Sequence, residues 1–307
     1  MKIVFFGSDD FAAVCLKEIL RDKHQVVGVV TGPDTRQGRG MQMSLSPIKE
    51  IALEHDIVCL QPDSLKEVSI IGKLRNFQAD IFVVVAYGRI LPQAVIDIPK
   101  MFCVNVHGSL LPKYRGAAPI NWAIINGDKQ TGVTIQKITF ELDAGDVITQ
   151  EVMPISDDAT SSTLRQNMAQ VGAKLLVKTL DSIASNKFKT TAQDKVKVSY
   201  APKLTKELGC IQWQKTATEI ERLIRGLQSW PGTFTQYKGK TLKILEASVV
   251  KVQGKAGTVV NITKEGFTVT CGQDALLIKR VHLEASKPVS AYDFILGSRL
   301  TAGEQLI

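Results

Sequence analysis

The chain is poor in the features that usually announce a function. Its five cysteines (Cys15, Cys59, Cys103, Cys210 and Cys271) are odd in number and widely spaced, and no two form a Cys-x-x-Cys pair. That excludes a zinc ribbon and argues against a disulfide framework, so the cytosol is the expected setting. The four histidines (His24, His55, His107 and His282) show neither His-x-His nor His-x-x-x-His spacing, and no metal is expected. Purely apolar runs do not exceed six residues, as at 81–86, which is too short to cross a bilayer. The apolar opening at residues 1–7 is too short for a signal peptide and reads as a first strand. No GxxxxGK[ST] is present, which removes P-loop phosphate transfer, and no GxSxG, which leaves a hydrolase elbow unsupported. Gly38-Arg39-Gly40 never completes GxGxxG.

What is present suits a folded protein of about two domains: 307 residues, 44% hydrophobic and 22% charged. The net charge of +8 is unevenly distributed. Residues 1–186 hold 19 basic and 20 acidic side chains, net −1, whereas residues 187–307 hold 19 and 10, net +9. An excess of that kind on one half suggests a polyanion partner such as nucleic acid, or else a lysine-rich solvated surface.

Residues 1–155 alternate strand-like and helix-like segments. Strands are expected at 2–7, 25–31, 58–61, 81–86, 101–107, 131–139 and 147–155. The apolar runs are continuous and do not alternate, which indicates an α/β domain with a mostly parallel, Rossmann-like sheet. Ser8 or Asp9 is placed to cap the first helix, Ser46-Pro47 to open the second, and Ser64-x-x-Glu67 to box the third. A long helix is expected over 160–186, then a polar, basic linker over 187–204. Thr218-x-x-Glu221 is expected to cap a further helix. Five short strands after Pro231 (233–237, 242–252, 257–262, 266–271 and 275–283) suggest a small OB-like β-barrel. The domains are therefore read as 1–186, catalytic, and 205–307, a nucleic-acid-binding barrel. Trp213, Trp230, Phe234 and Tyr237 are candidates for stacking, with Trp213 and Trp230 favoured as core residues.

The chemistry concentrates at Asn105-Val106-His107-Gly108-Ser109-Leu110-Leu111-Pro112. Residues two apart in a strand share a face, so Asn105 and His107 point together at the C-terminal end of a buried strand, where open α/β sheets bind ligands. A second polar cluster, Glu141 to Asp146, could return a carboxylate to the same edge. An amide, an imidazole and a carboxylate on one rim can handle a carbonyl attacked by a neutral nucleophile. The amide donates to the developing oxyanion, and the imidazole and carboxylate manage protons. The plainer alternative is a strand-end histidine satisfied by a carbonyl, with Asp143 as a turn former.

Asn105-x-His107-x-Ser109-Leu110-Leu111-Pro112, followed by Tyr114-Arg115-Gly116-Ala117-Ala118-Pro119, resembles the folate-dependent formyltransferases, and Leu142-Asp143-x-Gly145-Asp146 resembles their second motif. Gly7-x-x-Asp10-Phe11-Ala12, the stretch from Pro33 to Gly40, Ser229-Trp230-Pro231 and Lys287-Pro288-Val289 extend the likeness over the whole chain. The resemblance implies 10-formyltetrahydrofolate as donor. It implies the α-amine of methionyl initiator tRNA as acceptor, with a sugar or other small amine as the alternative. It implies Asn105, His107 and Asp143 as the catalytic trio, Ser109, Leu110, Leu111 and Pro112 lining the folate site, and Arg36 and Arg39 meeting tRNA. A monomer without metal is expected. The chain departs from the family pattern at Asp9, where proline is usual, and at Met41-Gln42-Met43, where lysines are common.

Overall fold

A computed structural model describes residues 1–37 and 42–307. The chain forms two compact units. The first comprises Met1–Gly116, Gln130–Pro154 and Arg165–Tyr200; the second comprises Ala117–Lys129, Ile155–Leu164 and Ala201–Ile307. In chain order the elements begin β1 (Lys2–Gly7), α1 (Asp10–Leu20), β2 (Gln25–Val30), β3 (Thr35–Gln37), β4 (Gln42–Ser44), α2 (Pro47–Glu54), β5 (Cys59–Leu60), α3 (Val68–Asn76), β6 (Ile81–Val85) and α4 (Gln93–Ile96). They continue with β7 (Phe102–His107), β8 (Arg115–Gly116), α5 (Pro119–Ile125), β9 (Gln130–Lys137), β10 (Val147–Pro154), α6 (Ser161–Ala184) and β11 (Tyr200–Ala201). The last are α7 (Ala217–Gly226), β12 (Thr233–Tyr237), β13 (Lys240–Val250), β14 (Val259–Thr263), β15 (Gly266–Thr270), β16 (Ala275–Leu283), β17 (Val289–Ser290) and α8 (Ala291–Ser298). The short α4 and the β3–β4 ladder carry too few residues for a periodic signal, and the sequence reading did not anticipate them.

The first unit holds a seven-stranded sheet in the order β10-β9-β7-β6-β1-β2-β5. Pairings from β5 through β7 are parallel, and β9 and β10 add antiparallel strands at one edge. Every residue of β6 is buried, as a central strand covered on both faces requires. Below the site, Phe6, Phe82, Val84 and Cys103 pack with Leu74 of α3 and Val95 of α4. Asp9 caps α1 by accepting from Ala12 N at 3.1 Å. Ser46 caps α2 by accepting from Lys49 N at 3.1 Å, with Pro47 in the first turn.

Two caps differ from expectation. α3 starts after Glu67 without a side-chain cap, because the Ser64 hydroxyl accepts from Lys66 N within the preceding turn. α7 is boxed by Thr216 and Glu219, two residues before the expected pair. Both pairs have the required spacing. The earlier start buries Ala217 and frees Glu221 to pair with Arg225 one turn on.

The second unit contains an antiparallel sheet in the order β12-β13-β16-β15-β14, with β17 on β16. Its C-terminal tail reaches both edges. Ile307 exchanges backbone hydrogen bonds with Gln236 of β12 at 2.7 and 3.1 Å, and Val259 of β14 donates to Glu304 O at 2.9 Å. The tail thereby covers strand edges that would otherwise be open to pairing. Trp213, Ile220, Leu242, Phe267 and Phe294 form the core. Trp230 does not join it. It is 50% exposed in the turn after α7, where the chain reverses through Ser229 and Gly232 at positive φ. α5 packs in this unit: Asn121 Nδ2 donates to Gly226 O at 2.8 Å, and a Cβ on Gly226 would lie 2.5 Å from Ile125 Cγ1.

The stretch read as a linker is firmly held. Up to Tyr200 it belongs to the first unit. Thr191 exchanges backbone bonds with Val147 at 2.9 and 2.8 Å, and Phe188 lies against Phe102. Its polar composition reflects hydrogen bonding to the unit as well as exposure to solvent.

Candidate active site

From β1 the sheet grows one way to β2 and β5 and the other way to β6 and β7, so its topological switch lies between β1 and β6. Ligands of open α/β sheets bind beyond the strand ends near such a switch. β7 lies next to β6 and carries Asn105 and His107 to that end. Register places Asn105 between Val84 of β6 and Gln136 of β9, and His107 opposite Thr134. Directly opposed residues share a face, so Asn105, His107, Thr134 and Gln136 form one polar block at the end of an apolar face.

His107 is 5% exposed. Its Nε2 lies 2.9 Å from Tyr114 O, and a carbonyl only accepts, so the Nε2 proton is committed there. The free nitrogen, Nδ1, faces Asp143 Oδ1 at 3.6 Å. Asp143 accepts from Gly116 N at 2.8 Å and from Gln136 Nε2 at 3.0 Å. Its backbone is left-handed, φ 51°, a conformation that costs a non-glycine residue roughly 1–3 kcal/mol and needs a surrounding structure to hold it. Gly145 follows because a Cβ there would come within 1.8 Å of Lys137 O. The Asn105 amide makes no hydrogen bond among the described residues, and its side chain is partly exposed. The structure therefore brings His107 and Asp143 together and leaves a free amide two residues before the imidazole.

The loop after β7 is shaped from within. Thr134 Oγ1 donates to Ser109 O at 2.6 Å and accepts from Leu111 N at 3.1 Å and Gln150 Nε2 at 2.8 Å. Ser109 is fully buried, and its hydroxyl donates to Lys113 O at 2.6 Å. Leu111 is buried, whereas Leu110 and Pro112 are partly exposed. Leu110 packs against Gly132, where a Cβ would meet its Cδ2 at 2.5 Å. Phe140 and Leu142, on the loop bearing Asp143, are exposed. Arg36 belongs to β3, and Arg39 lies outside the described residues.

Three supporting residues escaped the sequence reading: Thr134, Gln136 and Gln193. Thr134-x-Gln136, polar at period two between Val133 and Ile135 in a buried strand, was the available signal. Gln193 had none, being one polar residue among many. Arg115, buried beneath the loop, donates from Nε and Nη2 to Gln193 Oε1 at 3.0 and 2.9 Å, and from Nη1 to Glu141 Oε1 at 3.1 Å. Burial pushes the Cys103 thiol of β7 up to about 12, so no thiolate nucleophile arises there. The arrangement can donate to a carbonyl oxygen from an amide and can take a proton at an imidazole–carboxylate pair.

The formyl transferase family matches residues 1–180, and its C-terminal domain matches residues 203–299. A methionyl-tRNA formyltransferase of Acetivibrio thermocellus is 41% identical, covering 100% of this chain and 99% of its own. One of Clostridium novyi is 43% identical, covering 98% of each. Among solved structures, the sugar 3N-formyl transferase WlaRD, solved with dTDP and 5-N-formyl-THF, superposes with a TM-score of 0.68 at 20% identity, over 94% of this chain and 99% of that one. HypX of Aquifex aeolicus in complex with tetrahydrofolic acid has a TM-score of 0.65 at 19% identity, over 96% of this chain and 47% of that one. At such identities the two structures speak for the fold. The likeness to the two formyltransferases runs through both units, and the chain belongs to the formyl transferase family.

Proposed function

We propose that the chain transfers a formyl group from 10-formyltetrahydrofolate to the α-amine of methionyl initiator tRNA. The observation that carries this reading is identity of about 40% to methionyl-tRNA formyltransferases over the whole length, second unit included. Sugar formyltransferases share the fold at about half that identity, which does not favour a sugar amine.

The side chains around β7 suit such a donor: a free amide and an imidazole–carboxylate pair stand beside the apolar loop of Leu110 and Pro112. The donor brings a formyl carbon bonded to an arylamine nitrogen. The Asn105 amide N–H donates to the formyl oxygen as it gains negative charge. Asp143 keeps unoccupied lone pairs after accepting from Gly116 and Gln136, and takes the proton the attacking amine loses. His107, with Nε2 committed to Tyr114, works through Nδ1. It shares that proton with Asp143 and can pass it to the departing nitrogen. Ser109 and Leu111 hold the loop's shape, and Leu110 and Pro112 present its apolar surface to the folate.

In this reading the first unit performs the chemistry, and the basic side chains of residues 187–307, net +9, gather tRNA phosphates. Arg36 and Arg39 assist near the acceptor end. The reading includes the expected monomer in the cytosol. Purified protein supplied with 10-formyltetrahydrofolate is expected to formylate charged initiator tRNA and to discriminate against elongator tRNA; formylation of an amino sugar alone overturns the acceptor. The logarithm of tRNA affinity should fall with the logarithm of salt at a slope of about −0.7 to −0.9 per phosphate contact, and a flat response removes the electrostatic role of the basic residues in 187–307.

A further inference from the structure

One carboxamide joins the parts of the site. Gln193 accepts two N–H groups of Arg115 on Oε1, at 3.0 and 2.9 Å. Its Nε2 faces the carbonyls of Asp143 and Gly145, both at 2.8 Å, and Gln136 Oε1 at 3.2 Å. The orientation of the amide follows from these neighbours, since its oxygen must face the guanidinium and its nitrogen the carbonyls. The stretch that delivers Gln193 is pinned on both sides, by Thr191 on Val147 and by Ser199. The Ser199 hydroxyl accepts from Tyr114 N at 3.0 Å, and its carbonyl accepts from Arg115 N at 2.9 Å. Tyr114 O in turn holds His107 Nε2.

Asp143 needs such support. A non-glycine residue in the left-handed region stays there only when its surroundings over-determine it. Gly116 N and Gln136 fix its carboxylate, and the Gln193 amide fixes its backbone carbonyl and that of Gly145. By bonding Gln136 Oε1 as well, Gln193 orients the amide that faces the carboxylate.

We infer that Gln193 is the positioning residue for Asp143: it holds the Asp143 loop so that the carboxylate stays against His107, without itself reaching the reacting atoms. This rests on the proposed role of Asp143 and extends the machinery to a segment whose composition looks like a solvated connector.

The test is Gln193→Glu, nearly identical in shape. It keeps an acceptor for Arg115, now charged, but has no N–H for the carbonyls of Asp143 and Gly145. The kcat for methionyl-tRNA formylation should fall on the order of 10- to 100-fold, the scale expected when a catalytic group is misplaced by about 1 Å, with KM for both substrates little changed and an altered pH profile of kcat. Gln193→Ala should behave alike. If Gln193 merely fills space or accepts from Arg115, Gln193→Glu will match the unaltered protein while Gln193→Ala loses stability, and the inference is overturned. Should Gln193→Glu fail to fold, Gln193→Met, neutral and of similar length, carries the same test. If the unaltered protein formylates no methionyl-tRNA, the acceptor reading fails, and Gln193 is judged from a crystal structure of the Gln193→Glu variant. Asp143 retained at positive φ, with both carboxylate contacts intact, overturns the positioning role; a displaced loop supports it.

Discussion

The two units bury polar side chains for different purposes. In the second unit Thr233, Thr235 and Thr270 are buried, and each hydroxyl donates to a backbone carbonyl: Ile244 at 2.9 Å, Ile307 at 2.9 Å, and Lys255 at 2.5 Å. They satisfy main-chain groups where strands bulge or the tail closes the sheet. In the first unit His107 and Asp143 also meet backbone groups, at Tyr114 and Gly116, but they face each other as well, Gln136 bonds Asp143 and Gln193, Arg115 bonds Gln193, and the Asn105 amide lies beside them. Polar groups that complete the backbone are architecture. Polar groups that complete each other beside an open donor are placed for a ligand. What sets the first-unit cluster apart is the added side-chain network among His107, Gln136, Asp143 and Gln193.

The largest effect that tests this contrast is at the carboxylate and the imidazole. Asp143→Ala or His107→Ala should each lower formyl transfer by about 10²–10⁴, measured by steady-state assay, with folding retained by circular dichroism. Turnover near that of the unaltered protein in either variant would falsify the trio. Asn105→Ala should reduce kcat by about 10²–10³, the cost of one oxyanion donor, and leave the melting temperature nearly unchanged because the amide has no hydrogen-bond partner among the described residues to lose.

The second unit should respond the other way. Thr235→Val strands the Trp213 Nε1–H, which donates to the hydroxyl at 3.0 Å, and removes one of the two donors to the Ile307 carbonyl. It should lower stability by about 1–3 kcal/mol in urea titration with little change in kcat; a loss of kcat without a loss of stability would break the comparison.

The smallest effect is at His24, a buried histidine of the first unit far in sequence from the trio. Burial, then the Met1 ammonium 3.4 Å from Nδ1, hold its pKa below the ordinary imidazole range. Asp22 and Asp181 oppose this from the Nε2 side, and Lys23 pairs with Asp181 and adds to the lowering. A lowered folded-state pKa means that the unfolded chain takes up the proton first. Stability should be complete above about pH 6.5 and decline as pH falls through that value toward the folded-state pKa, measured by denaturant titration. His24→Gln should flatten that decline; an unchanged slope would assign it to the carboxylates.

Much of this was readable in one dimension. Asn105-x-His107 is a period-two pattern within a single strand, so its shared face needs no tertiary information. The continuous apolar runs of β1 and β6 required a sheet covered on both sides. The expected β12 and β16 agree with the structure at both ends because turn residues bound them. Where local signals were duplicated, as with Thr216-x-x-Glu219 and Thr218-x-x-Glu221, the chain alone could not choose. Trp230 was misjudged because an aromatic side chain is equally consistent with a core and a turn.

Composition, strand periodicity and short motifs determined the fold class, the uneven charge and the strand end that bears Asn105 and His107, since these depend on neighbours within a few residues. Tertiary structure alone decided that Gln136 stands opposite Asn105, that Asp143 is held left-handed against His107, and that Gln193 supports them both. Those contacts join segments separated by tens of residues, and their partners are selected by strand register and by the path of the chain after α6.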